Sequence, residues 1–215
     1  MTKTGLGTLV LAGTTTNDFT GASAVATNGG TLILNKTAGT TAISGSSIAI
    51  HSGGTLLLGA ANQIGNSTEI NLAGGTFALG GNTDTVGRLT VSADSVFDFG
   101  TAGGSATNFT FSDFNTAAYG NNSWVMTINN AAVGSSITWN TSYNGNTTFN
   151  SFASKIQFGT TGQFGQISFG GGQTTLLVAI PDARIAWAAG FLCGLIGLVE
   201  LRRRRPREVR KVRRV

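Results

Sequence analysis

Short apolar runs, each opened by glycine and closed by polar residues, recur along the first half of the chain. Gly7-Thr8-Leu9-Val10-Leu11 returns as Gly30-Thr31-Leu32-Ile33-Leu34, as Gly54-Thr55-Leu56-Leu57-Leu58 and as Gly75-Thr76-Phe77-Ala78-Leu79. The offsets are 23, 24 and 21 residues, and the last three copies share a Gly-Gly-Thr start. Each copy reads as a tight turn followed by a short strand. Between the copies lie weaker alternating segments at 41–44, 47–50, 69–72 and 88–92. A strand about every ten residues, on a repeat of this length, predicts a right-handed parallel β-solenoid (β-helix) with two or three strands per rung over residues 1–104. Gly30, Gly54 and Gly75 would form the rung corners, where glycine accepts positive φ and close backbone approach. The inward Leu, Ile, Val and Phe side chains would stack into a narrow core. An antiparallel sandwich is the alternative that short strands at this spacing also allow, but it does not require a repeated Gly-Gly-Thr register.

From about residue 105 the pattern changes. Twelve of the eighteen aromatic residues fall between Phe109 and Phe169. Strand-type segments persist at 124–128, 137–139, 155–158 and 166–169. The end of a solenoid exposes unpaired strand edges and an open core, so a terminal segment must cover them. Residues 105–180 are therefore expected to form an aromatic-rich β cap.

The last stretch is of another kind. Residues 185–201 (IAWAAGFLCGLIGLVEL) carry no charge before Glu200. As a helix they would span about 25 Å, at the short end of a membrane crossing. Trp187 sits near one end, where interfacial aromatics belong. Arg202, Arg203, Arg204 and Arg205 follow at once, with further cations to Arg214. This pattern predicts a transmembrane helix over 185–201, with the Arg-rich tail 202–215 cytoplasmic and the β body outside. A buried core helix with a solvated basic tail is the alternative.

Lys3-Thr4-Gly5-Leu6-Gly7-Thr8-Leu9-Val10-Leu11, then Phe19-Thr20-Gly21 and Gly29-Gly30-Thr31-Leu32, resembles the autotransporter-associated β-strand repeat. The C-terminal part resembles the sorting domain of bacterial PEP-CTERM proteins: a short Pro-containing motif, a hydrophobic helix and an Arg cluster. Pro181, Asp182, Ala183 and Arg184 stand where that family has Pro-Glu-Pro. The resemblance implies a bacterial protein of the cell envelope, with an exosortase-like protease as a processing partner near Pro181. It implies no self-transport, since no C-terminal β-barrel pattern is visible. Met1-Thr2-Lys3 runs straight into a repeat, so an exported body implies a secretion signal ahead of it.

Composition narrows the chemistry. The net charge of +5 is uneven: residues 1–180 hold four Lys or Arg against six Asp or Glu, whereas 181–215 hold ten against three. The body therefore lacks the clustered cations that phosphate contacts need, and no nucleic-acid partner is expected. A single Cys, Cys193, excludes a disulfide framework and a Cys-based zinc site. His51, the one histidine, sits before a glycine corner and reads as a surface turn residue. Asp94 and Asp98 share a strand face, where they read as solvated carboxylates rather than a cation site. Gly80-Gly81-Asn82-Thr83-Asp84 matches a calcium-binding nonapeptide only faintly. No cofactor, metal or catalytic residue is expected.

The expected function is that of an exported, non-catalytic surface or extracellular-matrix protein, in adhesion or envelope structure. Its partners would be the membrane, through the C-terminal helix, and extracellular polysaccharide or other copies of the chain. The alternatives are a glycan-binding module using Trp124, Trp139 and Tyr143 as stacking platforms, and a β-solenoid polysaccharide lyase or hydrolase.

Overall fold

Strands of two to nine residues, separated by turns, alternate between two sheets. The computed structural model describes residues 1–17, 19, 25–27, 29–37, 39–100, 104–119, 124–159 and 163–179. The strands run in chain order as β1 (Thr2–Lys3), β2 (Thr8–Gly13), β3 (Val25–Thr27), β4 (Gly30–Lys36), β5 (Ser47–His51), β6 (Gly54–Leu58), β7 (Glu69–Ala73) and β8 (Thr76–Ala78). They continue as β9 (Thr85–Ala93), β10 (Ser95–Asp98) and β11 (Asn108–Phe114). Helix α1 (Thr116–Tyr119) precedes β12 (Met126–Asn129) and β13 (Ser136–Trp139), and helix α2 (Thr147–Ala153) precedes β14 (Ile156–Phe158), β15 (Phe164–Gly170) and β16 (Gln173–Ala179). Odd-numbered strands through β13 stack in one sheet and even-numbered strands through β14 in the other. Neighbours in both stacks are parallel, so each rung gives one strand to each sheet. The described residues form an all-β solenoid.

The repeat in the sequence is the register of the even sheet. Thr8 and Leu9 pair with Thr31 and Leu32, which pair with Thr55 and Leu56, which pair with Thr76 and Phe77. Side chains alternate across a strand, so every second residue enters the core. In β4 these are Leu32 and Leu34, in β6 Leu56 and Leu58, and in β8 Phe77, all fully buried. Facing them from the odd sheet are Ile48 and Ile50, Ile70 and Leu72, and Leu89 and Val91. Each such side chain contributes about 1.5–3 kcal/mol by leaving water. At the first rung β2 is the outer strand of its sheet. Its core-facing Leu9 is 38% exposed.

Two glycines show why the corners need that residue. Gly30 has φ +58°, and a Cβ there would lie 2.3 Å from the Gly7 carbonyl oxygen. Gly75 has an ordinary φ, but its Cβ would lie 2.5 Å from the His51 carbonyl oxygen and 2.7 Å from that of Gly54. Gly54 is the buried first residue of β6, and the positive φ of that corner falls on Gly53.

Polar side chains tie another corner together from inside. The Lys36 backbone N–H donates to Gln63 Oε1 (2.7 Å). The backbone N–H groups of Gln63 and Ile64 donate to Asp84 Oδ2 (2.8 and 2.9 Å), and that of Thr85 donates to Asp84 Oδ1. Burial pushes the Asp84 carboxyl up to about 6, against the opposing pull of those three N–H groups.

The change at residue 105 is a change of filling rather than of architecture. β11 pairs in parallel with β9 and β13, and β12 with β10 and β14, so rungs continue well into the region read from sequence as a cap. The pairing survives because it depends on backbone register, not on the Gly-Gly-Thr signature. Among the described residues only the hairpin β15–β16 departs, with β16 running antiparallel to β13 and β15 ending the odd sheet. Pro181–Val215, a separate unit, lies outside the described residues.

Candidate functional site

Of the aromatic residues proposed as stacking platforms, Trp139 and Tyr143 belong to the core. Trp139 is fully buried and Tyr143 is 5% exposed. Trp139 stacks near Phe111 and meets Phe149 edge-on, while Tyr143 lies flat against Phe149 with ring centroids 4.5 Å apart. Trp124 is half-buried against the same core. Trp139 and Tyr143 therefore offer no open ring face to a sugar, which corrects the expectation drawn from their residue type alone. Rings of this size are placed inside because they fill the wider rungs that lack a Leu ladder.

The acids weighed earlier are structural. Asp94 Oδ1 accepts the Val125 backbone N–H at 2.9 Å, and Asp98 accepts the Gly100 N–H and the Asn130 side-chain amide. Each carboxylate thereby ties a turn to the next rung. His51 is exposed at the end of β5. Among the described residues no group of three or more His, Cys, Asp or Glu could hold a metal ion. The sorting-type residues Pro181, Asp182, Ala183 and Arg184, the apolar run 185–201 and Arg202 to Arg205 lie outside the described residues. Among the described residues no helix is long and apolar enough to cross a membrane.

A polar concavity lies on the outer face of the odd sheet. It is a groove of about 430 Å³ lined by Asn66, Ser67, Glu69, Arg88, Ser112 and Asp113, with Ser46 and Gly87 also in its lining. Register builds it. Ile70 pairs with Leu89, and Leu89 with Phe114, so the residues just before them, Glu69, Arg88 and Asp113, line up on three consecutive rungs. The apolar partners point inward and the charged ones outward. Gly87 lets the preceding turn lie close, since a Cβ there would meet the Ser67 carbonyl oxygen at 2.6 Å.

The three charges are unequally engaged. Arg88 Nε stands 3.9 Å from Glu69 Oε2, a loose and half-exposed pair worth well under a kcal/mol. Glu69 Oε1 accepts the Thr90 hydroxyl at 2.6 Å. The other guanidinium N–H groups of Arg88 have no protein partner among the described residues. Asp113 Oδ1 accepts the Phe114 backbone N–H and the Tyr143 hydroxyl, which fixes the carboxylate in the groove's lining. Burial, followed by that bond to Asp113, pushes the Tyr143 phenol up to about 12. The hydroxyl therefore stays a donor at any physiological pH.

Sequence reading passed over this groove, although a signal was there. Glu69-Ile70, Arg88-Leu89 and Asp113-Phe114 are three charged–apolar steps, but they are spaced by 19 and 25 residues, unlike the Gly-Gly-Thr copies. No family model matches the chain, and no curated protein or solved structure does either.

Proposed function

We propose that this chain is an exported, non-catalytic β-repeat protein of the cell surface or extracellular matrix, acting in adhesion or envelope structure. The observation that carries the reading is the pairing of the Gly-Thr-Leu copies rung upon rung. A stack of that kind is a scaffold whose length and face are set by repetition, and its outer side is rich in hydroxyl and amide groups. The same reading takes the solenoid as right-handed, and residues 181–215 as a sorting motif, an apolar helix and a cytoplasmic Arg stop. An exosortase-like protease would act near Pro181.

The test is fractionation of cells expressing the full gene with one epitope tag in a solenoid turn and another after Val215. Surface exposure or release of the first tag, with loss of the second, supports processing of the tail. Retention of both in the membrane, with the first tag outside, supports a permanent anchor. Both tags soluble in the cytoplasm overturn the reading.

A further inference from the structure

The groove over Glu69, Arg88 and Asp113 has a ligand chemistry that can be read by elimination. An apolar ligand finds no apolar side chain in the lining, which presents hydroxyl, amide, carboxylate and guanidinium groups. A peptide cannot add as a strand, because β5, β7, β9 and β11 are each paired on both sides. A polyanion would meet a carboxylate on either side of a single Arg. A metal ion would find two carboxylates separated by that same cation.

What remains suits a chain of hydroxyl groups. Carboxylates and guanidinium groups make charge-assisted hydrogen bonds to neutral hydroxyls, which donate and accept in turn. Arg88 has donors to spare, Asp113 has a fixed acceptor, and Ser67, Ser112 and Asn66 can serve either way. These groups repeat along the stack at the strand separation of about 4.8 Å. The ligand should therefore be extended and should itself repeat.

We propose that this groove binds an uncharged polysaccharide strand, laid along the solenoid axis across the rungs that carry Glu69, Arg88 and Asp113. The proposal deepens the surface reading and rests on it only for where such a polymer would be met. Arg88 and Asp113 hold the strand by hydrogen bonds to its hydroxyls, and Ser112 lines the groove beside Asp113.

The test uses the purified full chain in a non-glycosidic detergent, titrated calorimetrically with cellohexaose, laminarihexaose and maltohexaose, and with an oligogalacturonate for comparison. Saturable binding of at least one neutral hexasaccharide is expected. Arg88→Ala should weaken it about tenfold or more at an unchanged melting temperature, the loss of a charge-assisted hydrogen bond. Ser112→Ile, which fills the groove with a branched apolar side chain suited to a strand, should do the same. Trp124→Ala should leave binding intact. Failure of all three neutral sugars to bind, preference for the oligogalacturonate, or binding that survives both groove variants overturns the proposal. Tags confined to the cytoplasm would remove the surface reading while leaving this binding result to stand or fall alone.

Discussion

The rungs from β4 to β9 and those from β10 to β14 obey the same pairing rule with different materials. In the first group Leu stacks on Leu and Ile on Ile, and the register advances by a nearly constant step, from Thr31 to Thr55 to Thr76. In the second, Ser95 pairs with Met126 and Met126 with Ile156, so each turn takes up a longer stretch of chain. The extra residues include α1 and α2, and the core they help fill is aromatic. Phe97 meets Phe77, Phe109 and Phe111 edge-on, while Phe114 stacks on Phe152 of α2 at 4.3 Å. A solenoid can thus change its cross-section without breaking its sheets, provided that each wider rung brings side chains large enough to fill it. Aliphatic rungs repeat one solution, whereas aromatic rungs interlock, with each ring shaped to particular neighbours.

The contrast can be broken most forcefully at α2. Phe149 is fully buried and contacts Trp139, Tyr143 and Phe114, so Phe149→Ala should destabilise the chain by about 3–5 kcal/mol. Leu56→Ala in the aliphatic stack should cost about 2–5 kcal/mol, at the lower end if its stack neighbours Leu32 and Phe77 close the gap. Chemical denaturation of both variants would show whether interlocked rings tolerate a cavity less well than a ladder does. Equal losses would erase the distinction.

Next in size is the buried carboxyl of the aliphatic half. The folded Asp84 pKa of about 6 lies above an unfolded value of ~3.9. Its contribution to stability is therefore complete below about pH 4 and is lost as the pH rises through about 6. The change is on the order of 2–3 kcal/mol. Asp84→Asn should flatten stability measured between pH 4 and pH 7, and a profile unchanged from the parent would sink the assignment. Gly75→Ala forces a Cβ against two carbonyl oxygens and should cost about 1–3 kcal/mol, read as a lowered denaturation midpoint. The smallest effect belongs to the N-cap of α2, where Asn146 Oδ1 accepts the Phe149 N–H at 2.8 Å. Asn146→Ala should cost ~1 kcal/mol, with the aliphatic rungs untouched in hydrogen exchange.

Where sequence reading succeeded and failed follows the same division. The Gly-Gly-Thr copies made the even sheet legible down to its register, because in those rungs composition and pairing share one period. Beyond Phe97 the period stretches and the signature glycines vanish, so β11 to β14 looked like a lid although they pair as rungs. Trp139 and Tyr143 looked available to a ligand because an amphipathic ring suits a surface or a core equally well, and only packing decides. The line of Glu69, Arg88 and Asp113 stayed hidden because its alignment depends on turns of unequal length between the strands. Repetition is readable from one chain; coincidence of face across unequal loops is not.

The parallel stacking has a mechanical consequence. Hydrogen bonds of both sheets point along the axis of the stack, from each rung to the next. A pull between the two ends loads those bonds in tension, one interface at a time, rather than shearing many strands together. Under such a load the molecule would lengthen by peeling a rung at a time, each releasing twenty or thirty residues of slack. A tether built this way dissipates force in small steps and can rewind when the load is removed, because each freed turn meets its template on the rung beneath.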